Sequence, residues 1–141
     1  MPSKNSVKRT PNIHSKVKSQ VLKAIGSERD IMVWNNPTGT FMSPSGGIVK
    51  VGIRGAGDII GLMRKNLHIV RIIGENSFQP HSRETDDTVG IMFAIEIKTG
   101  GGVQKKDQKK WQAAFESFGG KYFVCHNALE AKAAIAELRD I

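Results

Sequence analysis

The length and charge of the chain limit what it can be. Its 141 residues are enough for one domain, and a second independent core is not expected. The 21 Lys and Arg residues against 13 Asp and Glu give a formal net charge of +8, which makes a polyanion the natural partner.

Two further features of the composition bear on where the protein works. Cys125 is the only cysteine, which excludes an intramolecular disulfide and a cysteine zinc cluster and fits a reducing compartment. No apolar run of about 18 residues occurs, and no signal-peptide stretch follows the basic N-terminus. We therefore expect a cytoplasmic protein with no membrane partner.

The N-terminal segment is basic. Residues 1–12 contain Lys and Arg but no acid, together with Ser, Asn and two prolines. This composition predicts a flexible arm, and we expect Lys8 and Arg9 to contact phosphates. The alternative is a tail that only keeps the protein soluble.

The first half of the chain combines one helix with short strands. Val17, Val21 and Ile25 follow the spacing of an amphipathic helix, lysines such as Lys16 cover its other face, and Gly26 is placed to end it. Turn-forming residues separate the segments that follow. In order, we predict a helix at 15–25, a strand at 31–34, a turn at 35–39 and, at 40–42 and 48–51, the strands of a hairpin or a flexible flap.

The second half predicts more strands and two helices. Trp111, Phe115 and Phe118 lie at helical spacing, and Asn127 with Glu130 resembles a capping box. The composition predicts a strand that begins at Asp58, a separate strand at 67–73, an irregular excursion at 74–88, a strand at 91–97, a helix at 103–118, a strand at 121–125 and a last helix from 127. This order predicts an α/β fold with a mixed central sheet flanked by helices.

Glu96 and Lys98 are the most informative pair of residues. They end an apolar strand, and positions i and i+2 of a strand share one face, so both side chains project together while Ile97 faces the other way. Asp58 opens another strand, after glycines. Two carboxylates from different strands can hold Mg²⁺, and a neighbouring lysine can hold the attacking water or stabilise the charged transition state. Each fragment alone has a simpler explanation, a turn residue for Asp58 and a solvated ion pair for Glu96 and Lys98.

Other polar residues are candidates to support such a site. Gln108 lies one turn before Trp111, near the edge of the apolar stripe, so its amide could reach the metal or a phosphate; an ordinary exposed glutamine is the alternative. Lys50, Arg54 and Arg64 lie near Asp58 in the chain and are candidate phosphate contacts, although basic side chains on loops are usually only solvated.

The histidines, the cysteine and Trp34 carry no functional signal. His14, His68, His81 and His126 lack the spacing of a zinc or catalytic histidine site. We expect Cys125 and Trp34 to be core residues.

In their order along the chain, the motifs resemble a known family. The segments Gly55–Asp58, Glu96–Thr99, Gln108 with Trp111, and Gly120–Val124 are similar to the pattern of the virus-type replication-repair nucleases, the VRR-NUC family of the PD-(D/E)XK restriction-endonuclease-like superfamily. The resemblance covers roughly residues 15–126. It implies a restriction-endonuclease-like core within a single nuclease domain at 13–141.

The resemblance also implies roles for individual residues. Asp58, Glu96 and the backbone carbonyl of Ile97 would bind Mg²⁺ or Mn²⁺, with Lys98 and Gln108 as catalytic partners. The polar turn at 35–39 is similar to a family turn beside the DNA, which makes Asn36 and Thr38 candidate DNA contacts. The expected nucleic-acid-binding set is therefore Lys8, Arg9, Lys16, Asn36, Thr38, Lys50, Arg54 and Arg64.

The chain departs from the family pattern in its first helix. That helix commonly supplies a Glu to the metal site, whereas residues 13–25 contain no acid. Gln20, Ser15 or Ser19 could substitute through a water; otherwise the site has fewer ligands and binds one metal more weakly.

The resulting prediction is a metal-dependent DNA endonuclease, encoded by a bacterium or phage. The resemblance implies selectivity for branched DNA of the Holliday-junction type, and a homodimer would suit the cutting of two strands. Two alternatives remain open, a non-catalytic DNA-binding module with a degenerate metal site and an RNA-directed nuclease.

Overall fold

A computed structural model of the chain describes residues 12–73 and 81–141, and the side chains of 69–86 are not described. The predicted contacts of Lys8 and Arg9, and nearly all of the predicted arm, lie outside the described residues. No helix in the described ranges is long and apolar enough to cross a membrane.

Three helices and six strands follow one another along the described chain. They are α1 (Ile13–Ile25), β1 (Ile31–Asn35), β2 (Gly39–Met42), β3 (Ile48–Val51), β4 (Ile59–Ile73), β5 (His81–Ile97), α2 (Lys106–Ser117), β6 (Lys121–Cys125) and α3 (Ala128–Arg139).

Four of the strands form one mixed sheet in the order β1-β4-β5-β6. The β1/β4 and β4/β5 pairs are antiparallel, whereas β6 runs parallel to β5. The remaining strands, β2 and β3, pair with each other as a separate antiparallel hairpin. The prediction of an α/β fold with a mixed central sheet is confirmed.

The main core lies between one face of the sheet and the helices α1 and α3. Strand β5 contributes Phe93, Ile95 and Ile97 to this face, all of them buried. Helix α1 adds Val21 and Ile25, and α3 adds Ala131, Ala134, Ile135 and Leu138. Alternate residues of β5 therefore point away from this core, among them Glu96.

Helix α2 covers part of the opposite face. Trp111 and Phe115 stack with ring centroids 4.6 Å apart and pack against a small buried cluster on the sheet, formed by Ile60, Ala94 and Tyr122. The predicted third member of this stripe, Phe118, is 93% exposed. The prediction was wrong because the helix ends at Ser117 and Phe118 has left the helical path.

Of the two side chains predicted to be core residues, one is buried and the other is not. Cys125 is buried in the main core, as predicted. Trp34 is 41% exposed, so its prediction as a core residue was wrong. It lies on the edge strand β1, opposite Ile60, on the face that α2 only partly covers.

The predicted irregular excursion at 74–88 was wrong for the residues the structure describes there. Strand β4 is continuous to Ile73, and β5 already begins at His81. Their pairing runs without a break from Ile59↔Ile95 to Ile73↔His81. Since β1 pairs only with 59–63 and β6 only with 93–97, residues 64–73 and 81–90 form a two-stranded ribbon beyond the sheet.

Candidate metal site

The two acidic residues of the predicted site face each other across neighbouring strands. The antiparallel register pairs Ile59 with Ile95, so one further step places Asp58 opposite Glu96. Side chains at opposed positions of an antiparallel pair share a face, with Cβ atoms about 5 Å apart. The structure thus brings together two carboxylates separated by 38 positions in the chain.

Close backbone packing fixes Asp58 in this place. A Cβ on Gly57 would lie 3.1 Å from the carbonyl oxygen of Ile95, tighter than side chains normally approach. The Asn36 amide nitrogen donates to the Gly57 carbonyl at 2.9 Å, and the backbone N–H of Ile97 donates to Asp58 Oδ2 at 2.9 Å. The carboxylate of Asp58 is therefore held against the end of β5.

A second glycine brings α2 to the same place. Gly55 has φ of 86°, a left-handed conformation that suits glycine, and a Cβ there would overlap the Asp107 carbonyl group at the start of α2. Beside it, Arg54 Nε lies 2.7 Å from Asp107 Oδ2. The close packing of Gly55 on Asp107 places the first turn of α2, which includes Gln108, next to the strand ends.

Glu96, Lys98 and Gln108 form a closed set of hydrogen bonds. Lys98 Nζ lies 2.9 Å from Glu96 Oε1 and donates to Gln108 Oε1 at 2.9 Å. Gln108 Nε2 donates to Glu96 Oε1. The side chains of Glu96 and Lys98 are only 5% and 11% exposed, so the alternative of a solvated surface pair was wrong.

Burial makes the charge on Glu96 costly. Loss of solvent is the main factor that raises the pKa of Glu96; the hydrogen bond from Lys98 acts in the opposite direction, and the neighbouring charge of Asp58 raises the pKa further. A buried carboxylate facing a second carboxylate gains from a cation between them. Lys98 supplies one positive charge next to this pair of carboxylates, and a divalent ion would add further compensation.

Tyr122 adds a polar group on the same face of the sheet. Strand β6 pairs Tyr122 with Ala94, two residues before Glu96, and the side chain is 7% exposed. Within the part of the chain that the structure describes, its hydroxyl has no partner at hydrogen-bonding distance. An unpaired buried hydroxyl costs about 1–3 kcal/mol, so this oxygen would gain from a polar partner.

His14 joins the site from α1, which the sequence did not predict. Its Nε2 atom lies 3.3 Å from Asp58 Oδ2 in the first turn of the helix, which Asn12 caps. The expectation that no histidine takes part was based only on the spacing between histidines. The sequence did contain one signal, because His14 lies in the helix that commonly supplies a Glu in the VRR-NUC pattern and contains no acid here.

The donor set fits a hydrated divalent ion. Where side chains are described, no group of three His, Cys, Asp or Glu residues could hold a metal by itself. Mg²⁺ keeps several of its waters and is commonly bound by only one or two carboxylates. Asp58 and Glu96 would hold it, while the role of the Ile97 carbonyl stays a prediction.

The structure gathers some predicted DNA contacts and separates others. Thr38, Lys50 and Arg54 line one groove of about 480 Å³ at the base of the β2–β3 hairpin. Lys16 is exposed on α1, and the side-chain amide of Asn36 donates a hydrogen bond to the Gly57 carbonyl. Arg64 lies six residues along β4 from Asp58, roughly 20 Å away, and its contact with a phosphate stays a prediction.

Comparison with known proteins adds no relative. No family model matches the chain, and neither a curated protein nor a solved structure matches it. The functional argument therefore depends on the geometry of the site.

Proposed function

We propose that the protein is a Mg²⁺- or Mn²⁺-dependent DNA endonuclease. The observation that carries the proposal is the convergence of Asp58 and Glu96 from neighbouring strands, with Lys98 and Gln108 in direct contact with Glu96. The proposal includes membership of the VRR-NUC family with a restriction-endonuclease-like core. The order of the motifs and the mixed sheet support it.

Each residue would have a definite part in phosphodiester hydrolysis. A bound ion would neutralise phosphate charge and supply a more acidic water. Asp58 and Glu96 would bind the ion, and Lys98 would hold the attacking water or a phosphate oxygen. Gln108 keeps Lys98 and Glu96 in fixed relation, and His14 supports Asp58 from α1.

DNA is the proposed substrate because of charge and the placement of the groove. The net charge of +8 attracts a polyanion, and Lys50 and Arg54 line a groove whose Gly55 packs on the start of α2. We include selectivity for branched DNA and action as a homodimer, since two symmetric subunits can cut two strands.

The test compares cleavage of a labelled four-way junction, a linear duplex and a matched RNA, with Mg²⁺, Mn²⁺ or EDTA. Glu96→Gln and Lys98→Ala should each lower the rate at least ~100-fold, because each removes a group aimed at the reacting charge. Glu116→Gln is the matched control, because it makes the same chemical change at an exposed carboxylate on α2. Glu116 accepts a hydrogen bond from Gln112 and belongs to no part of the proposed site.

The outcomes separate the alternatives. Equal cleavage by wild type, Asp58→Ala and Lys98→Ala would overturn the site. DNA binding with no metal-dependent cleavage would favour the non-catalytic module, and cleavage restricted to RNA would favour the RNA-directed nuclease.

A further inference from the structure

Tyr122 presents a buried hydroxyl that has no partner at hydrogen-bonding distance among the described residues. The residue is 7% exposed, and its oxygen is the one buried side-chain polar atom without a partner among the described residues. Buried polar atoms are nearly always paired, so an unpaired one calls for an explanation.

Packing does not explain the hydroxyl. The Tyr122 ring lies 5.8 Å from the Trp111 ring at an interplanar angle of 58°, in the cluster with Ile60, Ala94 and Phe115. A phenylalanine ring would make the same apolar contacts. The oxygen is therefore the only part of Tyr122 that a Phe could not supply.

The surroundings of the hydroxyl indicate what it faces. The β5/β6 register places Tyr122 on the face that carries Glu96. Gln104 and Glu96 are side chains that interact with the phenol. Because a tyrosine hydroxyl is protonated at neutral pH, it can donate a hydrogen bond on this side of the sheet.

We propose that the Tyr122 hydroxyl is a positioning group for the ion held by Asp58 and Glu96, donating a hydrogen bond to a water of the ion's hydration shell. The inference rests on the proposed metal site and adds a residue that holds the hydrated ion in place. Removal of a residue that hydrogen-bonds to a metal's ligands typically weakens the metal affinity by roughly 10- to 100-fold.

The test is Tyr122→Phe, measured on the DNA-free protein. Titration calorimetry with Mn²⁺ and with Mg²⁺ should show affinity weakened roughly 10-fold. The melting temperature without metal should equal or exceed that of wild type, because the substitution removes an unpaired buried oxygen. Phe115→Leu is the packing control: it should lower the melting temperature without changing the affinity for Mn²⁺.

The possible results distinguish this inference from the proposed function. If wild type binds Mn²⁺, Glu96→Gln abolishes binding and Tyr122→Phe binds as tightly as wild type, the role of Tyr122 is overturned while the metal site stands. A lowered metal-free melting temperature with unchanged affinity would assign the hydroxyl to the fold and overturn the inference. Failure of wild type to bind either ion would overturn both.

Discussion

His14 and Asp58 are the residues through which α1 takes part in the site. The imidazole is 37% exposed and lies 3.3 Å from the carboxylate, so it can be changed without opening the core. It occupies a place from which a side chain of similar length would reach the Asp58 carboxylate.

His14→Glu should therefore lower the stability of the metal-free protein and raise its affinity for the metal. A third carboxylate beside Asp58 and Glu96 should lower the melting temperature without metal through like-charge repulsion. It should raise Mg²⁺ affinity roughly 10-fold, since affinity follows the number of charged ligands. Calorimetry and thermal melts measure both effects, and His14→Gln, which adds no charge, is the control. Unchanged Mg²⁺ affinity in His14→Glu would mean that residue 14 does not face the ion.

Local spacing was enough to predict one half of the site. The shared face of Glu96 and Lys98 follows from strand periodicity, which is a property of neighbouring residues. The pairing of Asp58 with Glu96 depends on the β4/β5 register, and the contact of His14 with Asp58 depends on how α1 packs. Spacing along the chain does not contain these two relations.

Among the elements, the loop before β4 and the start of α2 fit together through a glycine. Gly55→Ala should lower the free energy of unfolding by more than about 1 kcal/mol, because it combines a left-handed backbone with an overlap at Asp107. Gly46→Ala has a similar φ of 84° but meets nothing within 4 Å, so it measures the backbone strain alone. Chemical denaturation of both variants tests this, and equal losses would show that the overlap has no effect.

An ion-pair cluster joins the end of α3 to the segment before β1. Arg139 donates from Nε to Asp30 Oδ2 at 2.9 Å and from Nη2 to Asp30 Oδ1 at 2.8 Å, and Nη2 also contacts Glu28. The hydrogen bonds from Arg139 lower the pKa of Asp30 below its usual 3.8. The charged form of Asp30 is therefore the one that stabilises the fold.

The contribution of Asp30 should depend on pH in a definite direction. Because its pKa is lowered on folding, its stabilisation is present above pH 3.8 and is lost as the pH falls through the folded-state value. Asp30→Asn should cost about 1 kcal/mol or less at pH 7, since the pair is partly exposed, and progressively less as the pH falls below 3.8. Melting curves of both proteins between pH 7 and pH 2 measure the difference, and a gap that widens on acidification would contradict the assignment.

Elements with one buried face were predictable, whereas only part of one strand of the ribbon was. The helix α1, the strand β6 and the start of α3 at Asn127 follow from apolar spacing and capping residues. Strand composition predicted 67–73, whereas 81–88 lay in the predicted excursion. The side chains described at 64, 66–68, 87 and 88 are exposed, so no buried face marks the strands at these positions.

For the whole molecule, the excess positive charge should govern affinity for DNA. Residues 1–11 carry three positive charges and no acid, while Asn12 belongs to the helix as the cap of α1. Deletion of 1–11 should weaken DNA binding and reduce the slope of log affinity against log salt by up to about 3, near 0.9 for each lost phosphate contact.

The matched control keeps the length of the chain and removes only the charge. A variant with Lys4, Lys8 and Arg9 replaced by Gln should show the same change in salt dependence as the deletion, measured by fluorescence anisotropy over a salt series. An unchanged slope in both variants would place the phosphate contacts elsewhere on the protein.

The ribbon beyond the sheet has a consequence for how relatives of this chain can be found. Its rungs, which pair residues 64–73 with 81–90, lie at the opposite end of β4 and β5 from Asp58 and Glu96. If one residue were inserted or deleted on each strand of the ribbon, the two carboxylates would stay opposed, because the β4/β5 register at the sheet would be unchanged. We therefore expect the interval between these acids to differ among relatives, so a search pattern should fix each motif and leave the distance between them open.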